Sequence, residues 1–532
     1  MTLQALALLL VPLGPLTLAG AVAWSRSRGL ALRLVPWAAV PGLLAAILVP
    51  LGTRAEVPWM VLGTELGLDP VGRVFLAFTA LLWLLAGMYG STYLERDDRR
   101  AGFFGAWLLA MAGNLGLVVA RDGISFYLFF ALMSFASYPL VIHDRSAPSL
   151  RAGRVYLALV VLGELLLFAG ILLAARFAGS LELAELARGL ARSPGRELAA
   201  VLLLLGFGIK AGIVPLHVWL PLAHPAAPTP ASAVLSGAMI KAGLLGWLRF
   251  LPPGEAAYPD LGASLATAGL FTAFYGVAVG LCQRNPKALL AYSSVSQMGL
   301  MALAFGVGLA EPAAAPATLV AITGYAFHHG LAKGALFLGV GVKPSRRGGA
   351  RWLALAGWAL PALALAGAPF TSGAWAKVAL KAAVAQGPGA WLPWLGGCLP
   401  LTAVGTTALM VRFLILVWPG PAKEEADPSP GLWAPWLALV AAATVVPWVW
   451  QQARVFSVQA LAPAYVWGSL WPILLGAAIS AAAVRLGWTP PRGVPPANAL
   501  ALTAPVVRVF RKGWDRLSGC AADLQERSHA TV

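Results

Sequence analysis

Residues 206–243 read GFGIKAGIVPLHVWLPLAHPAAPTPASAVLSGAMIKAG. Two apolar runs meet here, 198–222 and 231–250, and each carries one lysine well inside it, Lys210 and Lys241. Each run is long enough to cross about 30 Å of hydrocarbon. Backbone polar groups in lipid are satisfied only within helices or closed barrels. The runs are continuously apolar rather than alternating, so they read as helices. Pro215 and Pro221 interrupt the first run and predict a break in it.

Comparable blocks extend in both directions. Spans are expected near 3–24, 32–52, 73–93, 103–120, 122–142, 153–175, 198–222, 231–250, 261–282, 289–310, 315–341, 352–386, 390–418, 433–450 and 463–486. The block 352–386 is too long for one straight span and holds Pro369 and Gly373, so it too is expected to be broken. The chain is 59% hydrophobic and only 11% charged, against about 25% charged in soluble domains. The fold class is therefore an all-α polytopic membrane protein of about 15 transmembrane helices.

The formal net charge of +17 suggests nucleic-acid binding, but the basic residues sit in short loops between apolar blocks. One set of loops holds Arg26, Arg28 and Arg33, then Arg96, Arg99 and Arg100, Arg145, Arg151 and Arg154, Arg284 and Lys287, and Lys343, Arg346, Arg347 and Arg351. The tail adds Arg492, Arg508, Arg511, Lys512 and Arg516 on that side. Opposite loops hold Glu65, Asp69, Glu255, Asp260 and Glu311, with Arg54 as an exception and 176–197 mixed in sign. Cytoplasmic loops collect Lys and Arg, so the N-terminus is expected outside and the C-terminus in the cytoplasm of a bacterial-type inner membrane. Nucleic acid is excluded as a partner, and the lipid bilayer takes its place. Met1 to Ala23 lacks a basic leader and cleavage site and reads as a span rather than a signal peptide. Cys282, Cys398 and Cys520 form no CxxC or Cys/His cluster, which argues against a zinc or iron–sulfur site. In the Pro-rich, then basic tail, Val506 to Leu517 reads equally as a surface amphipathic helix or a solvated segment.

Ionisable groups inside spans are costly, which makes each a candidate functional residue. They are Glu164, Lys210, His217, Lys241, His328, His329, Lys333, Lys377 and Lys381. Lys210 is too deep to reach an interface, and His217 follows at seven residues, two turns on along one face. His224 follows seven further on. His329 and Lys333 share a helix face at i,i+4, whereas His328 points elsewhere and reads as a packing residue. Lys377 lies near the second break, and Lys381, one turn on, either joins it or snorkels outward. Glu164 stands alone in its span, as the counter-charge for Lys210 or as a protonated acid bonded to a neighbouring helix. The alternative for Lys210 is a snorkelling lysine with structural histidines, and for Lys241 a buried ammonium bonded to carbonyls.

At these residues the chain resembles a known family. The runs KAGIVPLHVWLPLAHPAAPTPASAVLSGAMIKAG, NPKALLAYSSVSQMG, HHGLAKGALFLG and PFTSGAWAKVALK look like the ordered signatures of the antiporter-like subunits of complex I, Mrp antiporters and hydrogenase-4-type formate hydrogenlyases. The resemblance covers roughly 100–420. It implies two inverted five-helix repeats, near 103–250 and 261–418, each with a broken helix. N-terminal helices (1–95), C-terminal helices (433–486) and a cytoplasmic tail (487–532) complete the division. It also implies a proton pathway in which Lys210 is the central lysine, Lys241 its relay, His329 and Lys333 the link, and Lys377 the exit. One departure stands out. The stretch FYLFFALMSFASYPLV has Ala131 where the family usually carries a glutamate paired with the central lysine, and Glu164, one span later, is its candidate replacement.

The function expected is thus a proton-translocating, non-catalytic subunit of an NADH:quinone oxidoreductase-like or membrane-bound hydrogenase-like complex. Its partners would be other membrane subunits and a peripheral redox module. The chain itself shows no GxGxxG after a strand and no CxxC series, so no cofactor is expected in it. The competing expectations are an Mrp-type Na⁺/H⁺ antiporter subunit and a non-pumping scaffold of an inorganic-carbon uptake complex.

Overall fold

Caps and breaks divide the apolar sequence into its helices. Asp69, Asp122 and Ser146 cap three N-termini by accepting amides of Gly72, Ser125 and Ser149. In the computed structural model, residues 2–60, 63–342, 349–418, 429–449 and 462–489 are described. The helices are α1 (Leu3–Ala23), α2 (Arg28–Leu48), α3 (Pro70–Tyr93), α4 (Arg100–Val119), α5 (Gly123–Val141), α6 (Ala147–Ala178) and α7 (Leu183–Ala191). There follow α8 (Arg196–Ala211), α9 (Trp219–Ala226), α10 (Thr229–Phe250), α11 (Pro259–Leu281), α12 (Pro286–Ala310) and α13 (Ala315–Val340). The last are α14 (Gly349–Ala366), α15 (Ser372–Val384), α16 (Leu392–Val417), α17 (Pro430–Val449) and α18 (Pro463–Arg485).

Among the described residues, thirteen spans are long and apolar enough to cross a membrane, with α8–α9 counted as one. With α13 and α17 they make up the expected fifteen. Lys343, Arg346, Arg347, Arg492, Arg508, Arg511, Lys512, Arg516, Cys520 and the segment 506–517 lie outside the described residues.

Both expected breaks are present, with Pro215 and Pro369 inside them and Pro221 and Gly373 in the helices that follow. The seventh span ends at Gly212 (φ +74), in the left-handed region that favours glycine. One 3-10 turn, Leu216–Val218, leads into α9, so Pro221 lies inside a helix rather than at the break. The second break is centred on Gly367 (φ +84) and Phe370 (φ 64), and Gly373 lies in the first turn of α15. A Cβ on Gly373 would collide with the Ala364 carbonyl, so this glycine permits the two halves to touch.

A feature absent from the sequence reading is a two-stranded hairpin, β1 (Arg54–Val57) with β2 (Thr64–Gly67), at one end of the bundle. This hairpin face also gathers the loop at Arg121 and the start of α7. Asp69 sits there between Arg121 (2.5 Å) and Arg249, and Arg54 pairs with Glu65 (2.7 Å) and Glu182 (3.3 Å). The exceptional Arg54 is thus neutralised by two acids. Burial opposes ionisation of the Asp69 carboxyl, but the Arg249 guanidinium, its hydrogen bonds and the Gly72 amide hold it well below the usual carboxylate range.

The core lies where α3, α10, α12 and α13 converge. Every residue of the apolar stretch of α10 and of α12 is buried, whereas α18 is largely open on its outer side. A fully buried span leaves its polar groups no route to the lipid surface, which is what confines the charges described next.

Candidate functional site

Lys210 occupies the last turn of α8, just before the break, and is 3% exposed. Its Nζ donates to Ser134 Oγ and Tyr156 Oη, both at 3.3 Å, and faces the rings of Tyr156, Trp219 and Phe130 at 5.6–6.0 Å. Tyr156 in turn donates to the Ser134 carbonyl at 2.7 Å. The Trp219 indole takes the Ile209 carbonyl at 2.7 Å, so the break leaves that acceptor satisfied and fixes Trp219 over the ammonium. Hydroxyls and ring faces thus surround a charge that in the related sequences is expected beside a carboxylate. Glu164 and Lys210 line one small cavity, together with Ser134 and Tyr156. The two form no ion pair, and Glu164 Oε2 is buried without a hydrogen-bond partner.

Lys241 follows a π turn, Leu235–Met239, of the kind that often marks functional positions in helices. It is fully buried, and its Nζ donates to the Ser236 carbonyl at 2.5 Å. Ser236 Oγ lies 2.7 Å from Ser294 Oγ, and Ser294 Oγ donates to the Leu290 carbonyl at 3.0 Å. Lys333 Nζ donates to that same carbonyl at 2.9 Å. Lys241 and Lys333, on different helices, thus each end on a backbone carbonyl, that of Ser236 and that of Leu290, and the Ser236–Ser294 hydroxyl pair lies between those two sites. His329 is fully buried beside them, with both ring nitrogens unpartnered and the charges of Lys241 and Lys333 reaching it.

His328 has more than a packing role. Its Nδ1 lies 2.7 Å from Ser372 Oγ at the start of α15, and the charges that reach it are those of Lys377 and Lys241. Lys377 Nζ donates at 2.5 Å to the Ala366 carbonyl, the end of α14. His328 thus ties the central helix to the second break.

His217 is placed differently from its spacing. The break at Gly212 resets the helical phase, so seven residues no longer equal two turns from Lys210. Its ring lies against Tyr275 (5.0 Å) and Tyr292 (6.0 Å), with neither nitrogen hydrogen-bonded. His224 stacks on Phe337 at 4.4 Å, within reach of the charges of Lys287, Lys333 and Lys241. Among the described residues no group of His, Cys, Asp and Glu is arranged to hold a metal. The sequence reading missed Ser134, Tyr156, Ser236 and Ser294. All three of these serines lie in quoted stretches, but a serine in a span carries no signal until its neighbour is known.

Residues 120–399 match the family model described as NADH:quinone oxidoreductase/Mrp antiporter, TM. The chain belongs to this family. It is an antiporter-like subunit of a multi-pass membrane protein class. Hydrogenase-4 component B of Escherichia coli is 35% identical over 56% of this chain and 46% of its own length. Na(+)/H(+) antiporter subunit A1 of Staphylococcus saprophyticus is 29% identical over 72% of this chain and 51% of its own. NADH-quinone oxidoreductase subunit N of Desulforudis audaxviator is 32% identical over 53% and 56%. The chain spans about half the length of the curated relatives it matches. The solved Mrp complex from Dietzia sp. DQ12-45-1b superposes with a TM-score of 0.81 at 26% identity, covering 97% of this chain and 60% of that one. These relatives are subunits of multisubunit membrane assemblies, which fits a chain with partners in the bilayer.

Proposed function

We propose that the chain translocates protons as a membrane subunit of an NADH:quinone oxidoreductase-like or membrane-bound hydrogenase-like complex. The observation that carries this reading is the complete burial of Lys241 and Lys333, each on a backbone carbonyl, with the buried Ser236–Ser294 hydroxyl pair between those two sites. Titratable groups at that depth are expensive and persist where they serve a pathway. The pathway runs from Lys210 to Lys241, then through Lys333 and His329 to His328 and Lys377. Water completes it where no direct bond exists, foremost between Lys210 and Lys241. Glu164, across the shared cavity, takes the place of the acid missing at Ala131 and modulates the charge on Lys210 by Coulomb coupling. His217 lies off this line and shapes the break.

The helices within 103–250 and those within 261–418 are read as two inverted repeats. In each the fourth of five spans is the broken one, and an odd number of crossings starts the second block on the opposite face. The hairpin face is assigned to the outside of a bacterial-type inner membrane, opposite the Arg-rich loops. A peripheral redox module and neighbouring membrane subunits supply the driving force.

The test is proton movement in proteoliposomes holding the whole native complex, followed with a pH-sensitive dye. Lys210→Ala abolishes it, and Glu164→Gln changes its rate and pH dependence. Undiminished pumping by Lys210→Ala removes the central role of that lysine. The match to the Dietzia Mrp complex over nearly the whole chain favours a second reading, Na⁺/H⁺ exchange. Proton movement that requires sodium on the opposite side selects it.

A further inference from the structure

Beyond Lys377 the buried row opens into a cleft between α15, α16 and α18. It is partly open to the outside and is lined by Lys377, Lys381, Thr402 and Ser469, together with Gly367 and Gly468. The space water can occupy in it is about 30 Å³, room for about two waters at roughly 10–15 Å³ each, and the polar groups such waters need are present. No acid lines it, and Lys381 has neither a hydrogen-bonded nor an ion-paired partner among the described residues. Lys381 lies one turn beyond Lys377 toward the hairpin-face end of α15. A polar seam reaches the same wall from the centre of the bundle. Tyr325, beside His328 at 6.0 Å between ring centres, donates to Gln297 Oε1 (2.6 Å). Gln297 Nε2 donates to Thr406 Oγ1 (3.1 Å), and Thr406 Oγ1 donates to the carbonyl of Thr402 (2.8 Å). The last helix forms the outer side of the cleft. It is held close to α16 at Gly476, where a Cβ would lie 2.6 Å from the Val404 carbonyl, and stands away from it at Gly468.

We propose that this cleft is the hairpin-face mouth of the proton pathway, a water-filled vestibule walled by α18, in which Lys381 passes protons between Lys377 and bulk water. It deepens the proton-pathway reading and rests on it. Lys381 is then a second exit lysine rather than a snorkelling one. The last helix, outside the two five-helix blocks, becomes part of the conducting unit because without it the cleft would open to lipid.

The test uses the native complex with Cys282, Cys398 and Cys520 of this chain replaced by serine. Gly468→Cys places a thiol at the cleft, where an added side chain meets nothing within 4 Å, and Ser469→Cys places a near-isosteric one on the wall. Leu474→Cys, on a lipid-exposed face of the same helix (53% exposed), is the control. A membrane-impermeant cationic thiosulfonate added from the hairpin face is expected to label positions 468 and 469 at least about tenfold faster than position 474, because the thiolate forms only where water reaches it. Labelling should also block proton transport, and Lys381→Ala should slow it while Lys381→Arg restores it. Labelling no faster than at 474, labelling only from the opposite face, or labelling without effect on transport each overturns the vestibule. If Lys210→Ala still abolishes transport in that case, the vestibule alone has failed. If Lys210→Ala leaves transport intact, the pathway reading beneath it has failed.

Discussion

The two serines between Lys241 and Lys333 make unequal numbers of bonds, which fixes the order in which their removal should be felt. Ser236→Ala deletes a single side-chain bond, the 2.7 Å contact with Ser294, and leaves the Ser294 hydroxyl on the Leu290 carbonyl. Ser294→Ala deletes both the 2.7 Å and the 3.0 Å bonds and strands the Ser236 hydroxyl in a site with no exposure. A typical intramolecular hydrogen bond contributes about 1 kcal/mol, and a stranded buried partner adds about 1–3 kcal/mol. Each 1.4 kcal/mol is about tenfold in rate, so Ser236→Ala should slow proton transfer about fivefold and Ser294→Ala about thirtyfold or more. The double variant should be no slower than Ser294→Ala, since the two hydroxyls form one link. Initial rates of dye quenching in proteoliposomes read this directly, with assembly of the complex checked in parallel. Equal effects of the two single variants, or a double variant equal to their product, would refute a link that runs through both.

Two other substitutions test the frame around the pathway. Asp69→Asn keeps an oxygen for the Gly72 amide but leaves Arg121 and Arg249 unpaired, and breaking such a pair costs about 3–5 kcal/mol; with Asp69 25% exposed the lower part of that range is expected as a fall in thermal unfolding temperature. Because the folded carboxyl is held below its ordinary value, its contribution is full above about pH 4 and is lost as pH falls further, so the native protein should weaken in acid while the variant shows no such step. Gly373→Ala drives a methyl into the Ala364 carbonyl and should cost about 1–3 kcal/mol, pushing Ser372 from His328 and reducing transport more than Gly373's distance from any lysine would suggest. Wild-type transport and unfolding in this variant would mean the two halves of that span are not in contact.

Much of the fold was legible because lipid imposes a length on every apolar block and leaves proline and glycine to mark exceptions. The exceptions were located only to within a few residues. Prolines announced the first break, but the residue that turns the chain is Gly212, whose positive φ cannot be seen in composition. The hairpin 54–67 was invisible because its four-residue strands sit in a loop with no sustained alternation. Within the site, depth in a span picked out Lys210, Lys241 and Lys333, which the fold buries, since burial of an ammonium is a property of position along one helix. Contacts between helices were not recoverable in that way. Which of two adjacent histidines meets α15 depends on how α13 is rotated against it, and His328, read from the sequence as a packing residue, is the one beside Ser372. The seven-residue spacing from Lys210 to His217 likewise assumed a continuous helix across a break that the same reading had placed there.

The ion pairs of Arg54, Asp69, Arg121 and Arg249 on the hairpin face clasp the ends of α3, α4 and α10 to the hairpin. The two blocks therefore differ in stiffness. The earlier one is buckled at its rim by paired charges, whereas in the later one Lys333, Lys377 and Arg412 are held by backbone carbonyls. Warming or a mild detergent should loosen the later block first, and backbone amides around the Gly367 turn should exchange with solvent before those around Gly212. A mechanical signal entering the chain would thus be transmitted through the first block with little loss and absorbed in the second.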